Sequence, residues 1–261
     1  MVGLRRFLIL TVAALLVWRI ASTGMSAHYV ERLRGGDEGA AGKALAWNGR
    51  QPEALYQQAI ASPGQDTETA ADLLARAHGE NPADPRPLIA MAGLAQAKGE
   101  QARSEALVET AVKLVPSDPW VQRRAAAYWS SRGDLIRALE HWSLALEADR
   151  NTRKKLFPIF LKLAEDPRTR PAFKQLAASP PSWWEAFFNE AAAKALDVET
   201  VRVLYALRRE SSRVPITQAE REAYVARLKK DGITAEAYVH WINGLSREQR
   251  SRLALLYDGG F

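Results

Sequence analysis

The residues of this chain that could carry chemistry are few and scattered. Its four histidines stand at positions 28, 78, 141 and 240. No two have metal-ligand spacing, and no His-Glu-x-x-His pattern occurs. His141 and His240 each precede a tryptophan, Trp142 and Trp241, a context that reads as surface or satisfied histidine. Cysteine is absent, which removes disulfides, thiolate metal sites and a thiol nucleophile. The acidic pair Glu165-Asp166 precedes Pro167 at a helix end, a capping context. Gly35-Gly36-Asp37-Glu38-Gly39 lacks the lysine and Ser/Thr of a phosphate loop and reads as a linker. Arg153-Lys154-Lys155 could touch an anionic polymer or lipid, but its default is a solvated helix face. No catalytic, cofactor-binding or metal residue is expected. The strongest remaining feature is Ser182-Trp183-Trp184-Glu185-Ala186-Phe187-Phe188. Its aromatics could stack on sugar or peptide, with Trp183 and Trp184 as platforms, or pack as core.

The elements that would position these residues are helical. No run alternates with period two, so no strand is assigned. Landmarks recur every 34 residues: Pro85 and Pro119, Gly99 and Gly133, Ala77, Ala111 and Ala145, Pro82 and Pro116. The period implies stacked helix–turn–helix units, each covering the apolar face of the next, so that about three are needed for stability. The unit Pro85 to Asp118 carries Leu88, Met91, Ala92 and Ala95 on its first helix, Gly99 at the turn, and Ser104, Val108 and Ala111 on its second. The next unit, from Pro119 to about Asp149, repeats the scheme with Ala125, Ala126 and Trp129, then Gly133, then Ala138, Trp142 and Ala145. An earlier unit spans Pro52 to Ala83 with a turn near Pro63-Gly64. Ala44 to Asn48 reads as the closing helix of a partial unit.

The ends differ from the middle. Arg5 and Arg6 precede an apolar run from Phe7 to Trp18 that resumes after Arg19, and Phe7 to Met25 would cover about 28 Å as a helix, close to a bilayer's hydrocarbon thickness. The arginines set the cytoplasmic side, and Trp18 fits an interfacial belt. An uncleaved anchor is the preferred reading over a cleaved signal. Charge supports this division. Residues 1–34 hold five Arg and one Glu, net +4; residues 35–150 are net −4; residues 151–261 are net +6. A pI near 9.6 thus arises without one continuous basic stripe, and nucleic acid is not an expected partner. Beyond Asn151 the period is lost, yet helices are expected near 152–164 (with a kink or break at Pro158), 170–178, 182–195, 197–210, 217–230, 234–243 and 246–257. Ser182/Glu185, Thr217/Glu220 and Ser246/Gln249 have the form of capping boxes.

The small residues Ala92, Ser104, Ala111, Ala126, Ala138 and Ala145, with Trp129 and Trp142 at the large positions, resemble the tetratricopeptide repeat family over roughly residues 51–150. The resemblance implies an all-α helix–turn–helix solenoid whose concave wall is built from first helices. The groove positions it implies are Trp120, Arg123, Ala127, Ser130 and Ser131, and in the preceding unit Arg86, Ile89, Gly93, Gln96 and Ala97. The Lys/Asn-rich clamp by which some members hold a peptide carboxylate is not reproduced; Arg123 alone does not make one. The anchor, the double-Trp helix and the ending Tyr257-Asp258-Gly259-Gly260-Phe261 resemble repeat proteins of bacterial surface-polysaccharide systems, in some of which a β-sandwich module follows.

The expected organisation is an anchor at 1–25, a linker at 26–43, about three repeats at 44–150, a helical extension or cap at 151–257, and a turn or linker end at 258–261. The expected role is a non-enzymatic scaffold in the bacterial inner membrane, spanning through residues 7–25 with its N-terminus cytoplasmic and its bulk periplasmic. It would hold a peptide or helix of envelope proteins, in polysaccharide synthesis or export. A carbohydrate-binding module using Trp120, Trp183 or Trp184, and a glycan-modifying enzyme on a helical scaffold, are the alternatives.

Overall fold

A computed structural model describes residues 2–61, 66–211 and 214–253. Among the described residues the protein is all-α, about 80% helical in 15 α-helices, with no strand. It forms two compact units, Met1–Pro116 and Ser117–Phe261. The division falls inside the expected repeat region of 44–150, between the units that begin at Pro85 and Pro119.

The first unit holds α1 (Val2–Arg34), α2 (Ala40–Trp47), α3 (Pro52–Ala61), α4 (Thr67–Glu80), α5 (Arg86–Ala97) and α6 (Gln101–Leu114). Each helix packs on the next in sequence, and α3 also touches α5. Small residues make this close approach possible: Ala54, Ala77, Ala92, Ala95 and Ala111 are all buried. Two buried serines tie paired helices together. Ser104 Oγ donates to the Ala92 carbonyl at 2.8 Å, and Ser26 Oγ donates to the Ala44 carbonyl at 3.0 Å.

The second bond exposes a difference from the sequence reading. Residues 26–34 are not linker; α1 continues to Arg34 and pairs with α2. Ser22, Ser26 and Val30, spaced i, i+4, i+8, are buried on one face of α1, the spacing of a packed helical stripe. Only residues 35–39 form the connecting turn. The expected turn at Pro63-Gly64 and the ending 258–261 lie outside the described residues.

The second unit holds α7 (Pro119–Ser131), α8 (Leu135–Ala148), α9 (Arg153–Glu165), α10 (Phe173–Ala178), α11 (Trp184–Lys194), α12 (Val198–Ser211), α13 (Gln218–Lys230), α14 (Thr234–Gly244) and α15 (Arg247–Leu253). Asp118 caps α7, accepting from the amides of Trp120 and Val121 at 2.7 and 3.0 Å, which satisfies donors a helix start leaves open. Pro158 neither ends nor splits α9. The capping boxes at Thr217/Glu220 and Ser246/Gln249 form, each with both reciprocal bonds. The box at Ser182 does not. Here α11 starts at Trp184 with no side-chain cap, and Glu185 instead accepts the Thr217 hydroxyl at 2.7 Å.

Three turns share one backbone geometry. Gly99, Gly133 and Gly232 all have φ +77°, and the next amide reaches back to Ala95, Trp129 and Leu228 at 2.9, 3.0 and 2.8 Å. This is the glycine-terminated wrap that ends a helix and starts its partner. It makes α13–α14 a helix pair of the same kind as α5–α6 and α7–α8, although the sequence period has been lost there.

Candidate membrane anchor and partner-binding faces

The first candidate is α1. Phe7–Arg34 is long and apolar enough to cross a membrane, and its most apolar window is uncovered by the rest of the protein. Phe7, Leu10, Leu15, Val17, Trp18 and Ile20 are each more than three-fifths exposed. Apart from Arg19 the stretch is uncharged, and it is not buried in a core. The uncovered stretch stops sooner than Met25, because Ser22 is already buried. From Phe7 to Ala21 it measures about 22 Å. At its far end Trp47, the last residue of α2, places its ring 6.0 Å from that of Trp18. The ammonium of Lys43 stands 6.0 Å from the Tyr29 ring, again joining α2 to α1, and the Arg32 guanidinium, on α1 itself, stands 6.0 Å from the same ring. Trp47 went unread as part of this junction; the Ser22–Ser26–Val30 stripe was the signal that α2 would run back beside α1.

The second candidate is a helix face in each unit. On α5 the positions 86, 89, 93, 96 and 97 follow helical spacing and range from half-buried to exposed, whereas Pro87, Leu88, Ala92 and Ala95 are buried. Ile89 is half-buried and Gln96 exposed. Arg86 is already engaged. It bonds Glu53 at 2.6 Å and Asp84 at 2.6 Å, and lies 4.9 Å from the Tyr56 ring. These carboxylates raise its pKa above the ordinary arginine value. For Glu53 burial works upward, but the bonds from Arg86 and Gln57 outweigh it and hold the carboxyl below its usual range. Arg86 therefore ties α5 to α3 and offers a partner little of its charge.

On α7 the corresponding face carries Trp120, Arg123, Ala127, Ser130 and Ser131, while Val121, Gln122, Ala125, Ala126, Tyr128 and Trp129 are buried on the other side. Trp120 is half-buried, with the Arg124 guanidinium 5.3 Å from its ring. Arg123 donates to Thr152 Oγ1 at 3.3 Å. Ala127 is exposed, and the Ser131 hydroxyl turns back to the Tyr128 carbonyl at 2.7 Å.

The stacking platform is corrected. Trp183 and Trp184 are 0% and 1% exposed, so neither offers a face to a glycan. Trp183 Nε1 donates to Ser143 Oγ at 3.2 Å, and Trp184 Nε1 donates to Glu220 Oε1 at 2.9 Å. Their rings join Phe157, Phe160, Phe173 and Phe187 in one aromatic core, where Phe173 and Phe187 stack at 5.8 Å. Large aromatic area is worth most when it leaves water, and both indole N–H groups find acceptors on the way in.

The remaining sequence candidates are accounted for. Glu165 accepts the Leu196 amide at 2.9 Å, and Asp166 accepts from the Arg168 amide and guanidinium, so the pair shapes turns. His141 Nδ1 sits 2.7 Å from Gln122 Oε1, and burial together with Arg137 lowers its pKa. His240 sets its ring edge-on to Tyr205 and Tyr224. Lys154 and Lys155 are exposed on α9. No group of three His, Cys, Asp or Glu that could hold a metal ion occurs among the described residues.

No protein-family model and no curated protein matches the chain.

Proposed function

We propose that this protein is a membrane-anchored, non-enzymatic scaffold of the tetratricopeptide type. Its place is the bacterial inner membrane, with the N-terminus cytoplasmic and both helical units periplasmic. There the open face of α5 in the first unit and that of α7 in the second are each a surface for a peptide or helix of an envelope protein, in an assembly for polysaccharide synthesis or export. The carrying observation is that α1, uncovered and without charge except Arg19 from Phe7 to Ala21, runs without a break into a helix pair with α2. The recurrent Gly99 and Gly133 turns, and the Ser and Ala residues at the close approaches, support the repeat type. Arg5 and Arg6 ahead of the apolar stretch support the orientation.

The test is photo-crosslinking in native membranes from an unnatural side chain placed at Ala97 on α5 and at Ala127 on α7, both exposed. The expected adducts are with membrane or periplasmic proteins. Adducts confined to cytosolic proteins would defeat the topology, and none from either face, beside a working crosslink between α1 and α2, would defeat the scaffold.

A further inference from the structure

The second unit contains a basic pocket that none of the features above uses. It lies among α12, α13 and α14, has a volume of about 400 Å³, and is lined by Tyr205, Arg208, Arg209, Arg221, His240 and Asn243, with residues 214–216 at its rim. That size suits a ligand of one sugar ring or so. Among the described residues no carboxylate lines it.

The charges in the pocket are not equivalent. Arg208 is 2% exposed and fully engaged: Nε meets Glu220 at 3.0 Å, and its two terminal nitrogens donate to the Val214 and Pro215 carbonyls at 2.7 and 3.0 Å. It is a wall. Arg209 is exposed, and its contact with Glu210, at 3.5 Å between two solvated side chains, holds it weakly. Arg221 has no carboxylate against it among the described ion pairs. It bonds the Tyr205 side chain and approaches the Gly244 carbonyl at 3.5 Å.

Gly244 is what lets Arg221 lie there. A Cβ at this position would overlap Arg221 Cδ and stand 3.0 Å from Nη1 and 3.1 Å from Nε. An alanine there would push the Arg221 side chain out of this position. His240 completes the set. Burial lowers its pKa, Glu236 opposes, and Arg209 and Arg221 add to the lowering. A neutral imidazole at pH 7 still offers one N–H, as the Asn243 amide does.

We propose that this pocket binds a small oxyanion, the carboxylate of an acidic sugar or the phosphate of a phosphomonoester, with Arg221 and Arg209 meeting the charge and His240 and Asn243 donating to it. A guanidinium fork matches both groups in bidentate fashion. The site shares no residue with the anchor or with the faces of α5 and α7, and its truth or failure leaves the scaffold proposal unchanged.

The experiment is calorimetric titration of the full chain in detergent with inorganic phosphate, D-glucuronate and D-glucose. The expected result is binding of phosphate or glucuronate with Kd of roughly 1 mM, and none of glucose. Tighter phosphate assigns the phosphomonoester, and tighter glucuronate the acidic sugar. Arg221→Gln and Gly244→Ala should each weaken the anion by about tenfold, while Arg103→Gln, at an exposed position of α6, leaves it unchanged. Arg209→Gln alters an exposed side chain that cannot endanger the fold, and should weaken binding about threefold. The proposal is overturned if neither anion binds, if glucose binds equally, or if Arg209→Gln and Arg221→Gln both bind as the parent does.

Discussion

Trp47, on the last turn of α2, rests its indole 6.0 Å from the indole of Trp18, at the end of the uncovered part of α1. Tryptophan favours the headgroup layer, where its ring is in apolar surroundings and its N–H stays wet. Two of them from different helices at one height are consistent with a membrane surface at that level. Arg19, next in sequence, has a stem long enough to reach the same layer.

The boundary can be located with single cysteines, because the chain has none of its own. Leu10→Cys should resist a membrane-impermeant maleimide from both sides. Glu31→Cys should react in intact spheroplasts, and Trp47→Cys should react partially and more slowly. Labelling of Glu31→Cys only after lysis would reverse the proposed orientation.

The glycine turns predict a sharp contrast. Gly99 and Gly133 have φ +77°, and a Cβ at either meets nothing within 4 Å. Replacement by alanine therefore reports backbone conformation alone, and should cost about 1–2 kcal/mol at each. Gly93 lies inside α5 with equally open surroundings. There alanine should stabilise, by up to about 1 kcal/mol. Urea midpoints of the three variants check this, and equal losses at all three would contradict the turn geometry.

Glu220 is 1% exposed and serves three neighbours at once: Arg208, the Trp184 indole and the Thr217 amide. Glu220→Gln leaves the buried Arg208 charge without its counter-ion, and should destabilise the chain by roughly 3 kcal/mol. Replacing both partners by Leu and Met should cost less than the single change, because no lone charge remains. Thermal unfolding of the single and double variants gives the comparison; a milder single change would show the pair to be dispensable.

Acid should loosen the second unit through Glu236. The Arg202 bonds, at 2.6–3.2 Å, outweigh burial, and with the Tyr224 hydroxyl they hold its pKa below the ordinary 4.5. A depressed carboxylate stabilises fully above its unfolded value and loses that contribution as pH falls through the folded one. Tm should thus drop more steeply below about pH 4.5 in the parent than in Arg202→Gln. Parallel acid limbs would remove Glu236 from the account.

Much of the helical order was legible because it is local. The 34-residue landmarks mark true turns at Gly99 and Gly133, and the expected helices near 197–210, 217–230 and 234–243 lie within a residue or so of α12, α13 and α14. Capping at Thr217 and Ser246 was legible for the same reason. What was missed depends on contacts distant in sequence. Whether Trp183 faces water or Ser143 is decided 40 residues away, and whether residues 26–34 are linker or helix is decided by α2. The pocket around Arg221 gave no sequence signal, since its lining is gathered from three helices and from residues 214–216.

The unbroken course of α1 has a mechanical consequence. From Val2 to Arg34 it is a single rod of about 50 Å, and its last three turns are clamped by α2. If it is set in a bilayer, there is no swivel between membrane and first unit. A change in tilt forced by thicker or thinner lipid would swing α2 and α3 with it, turning membrane thickness into a lever on whatever the first unit holds.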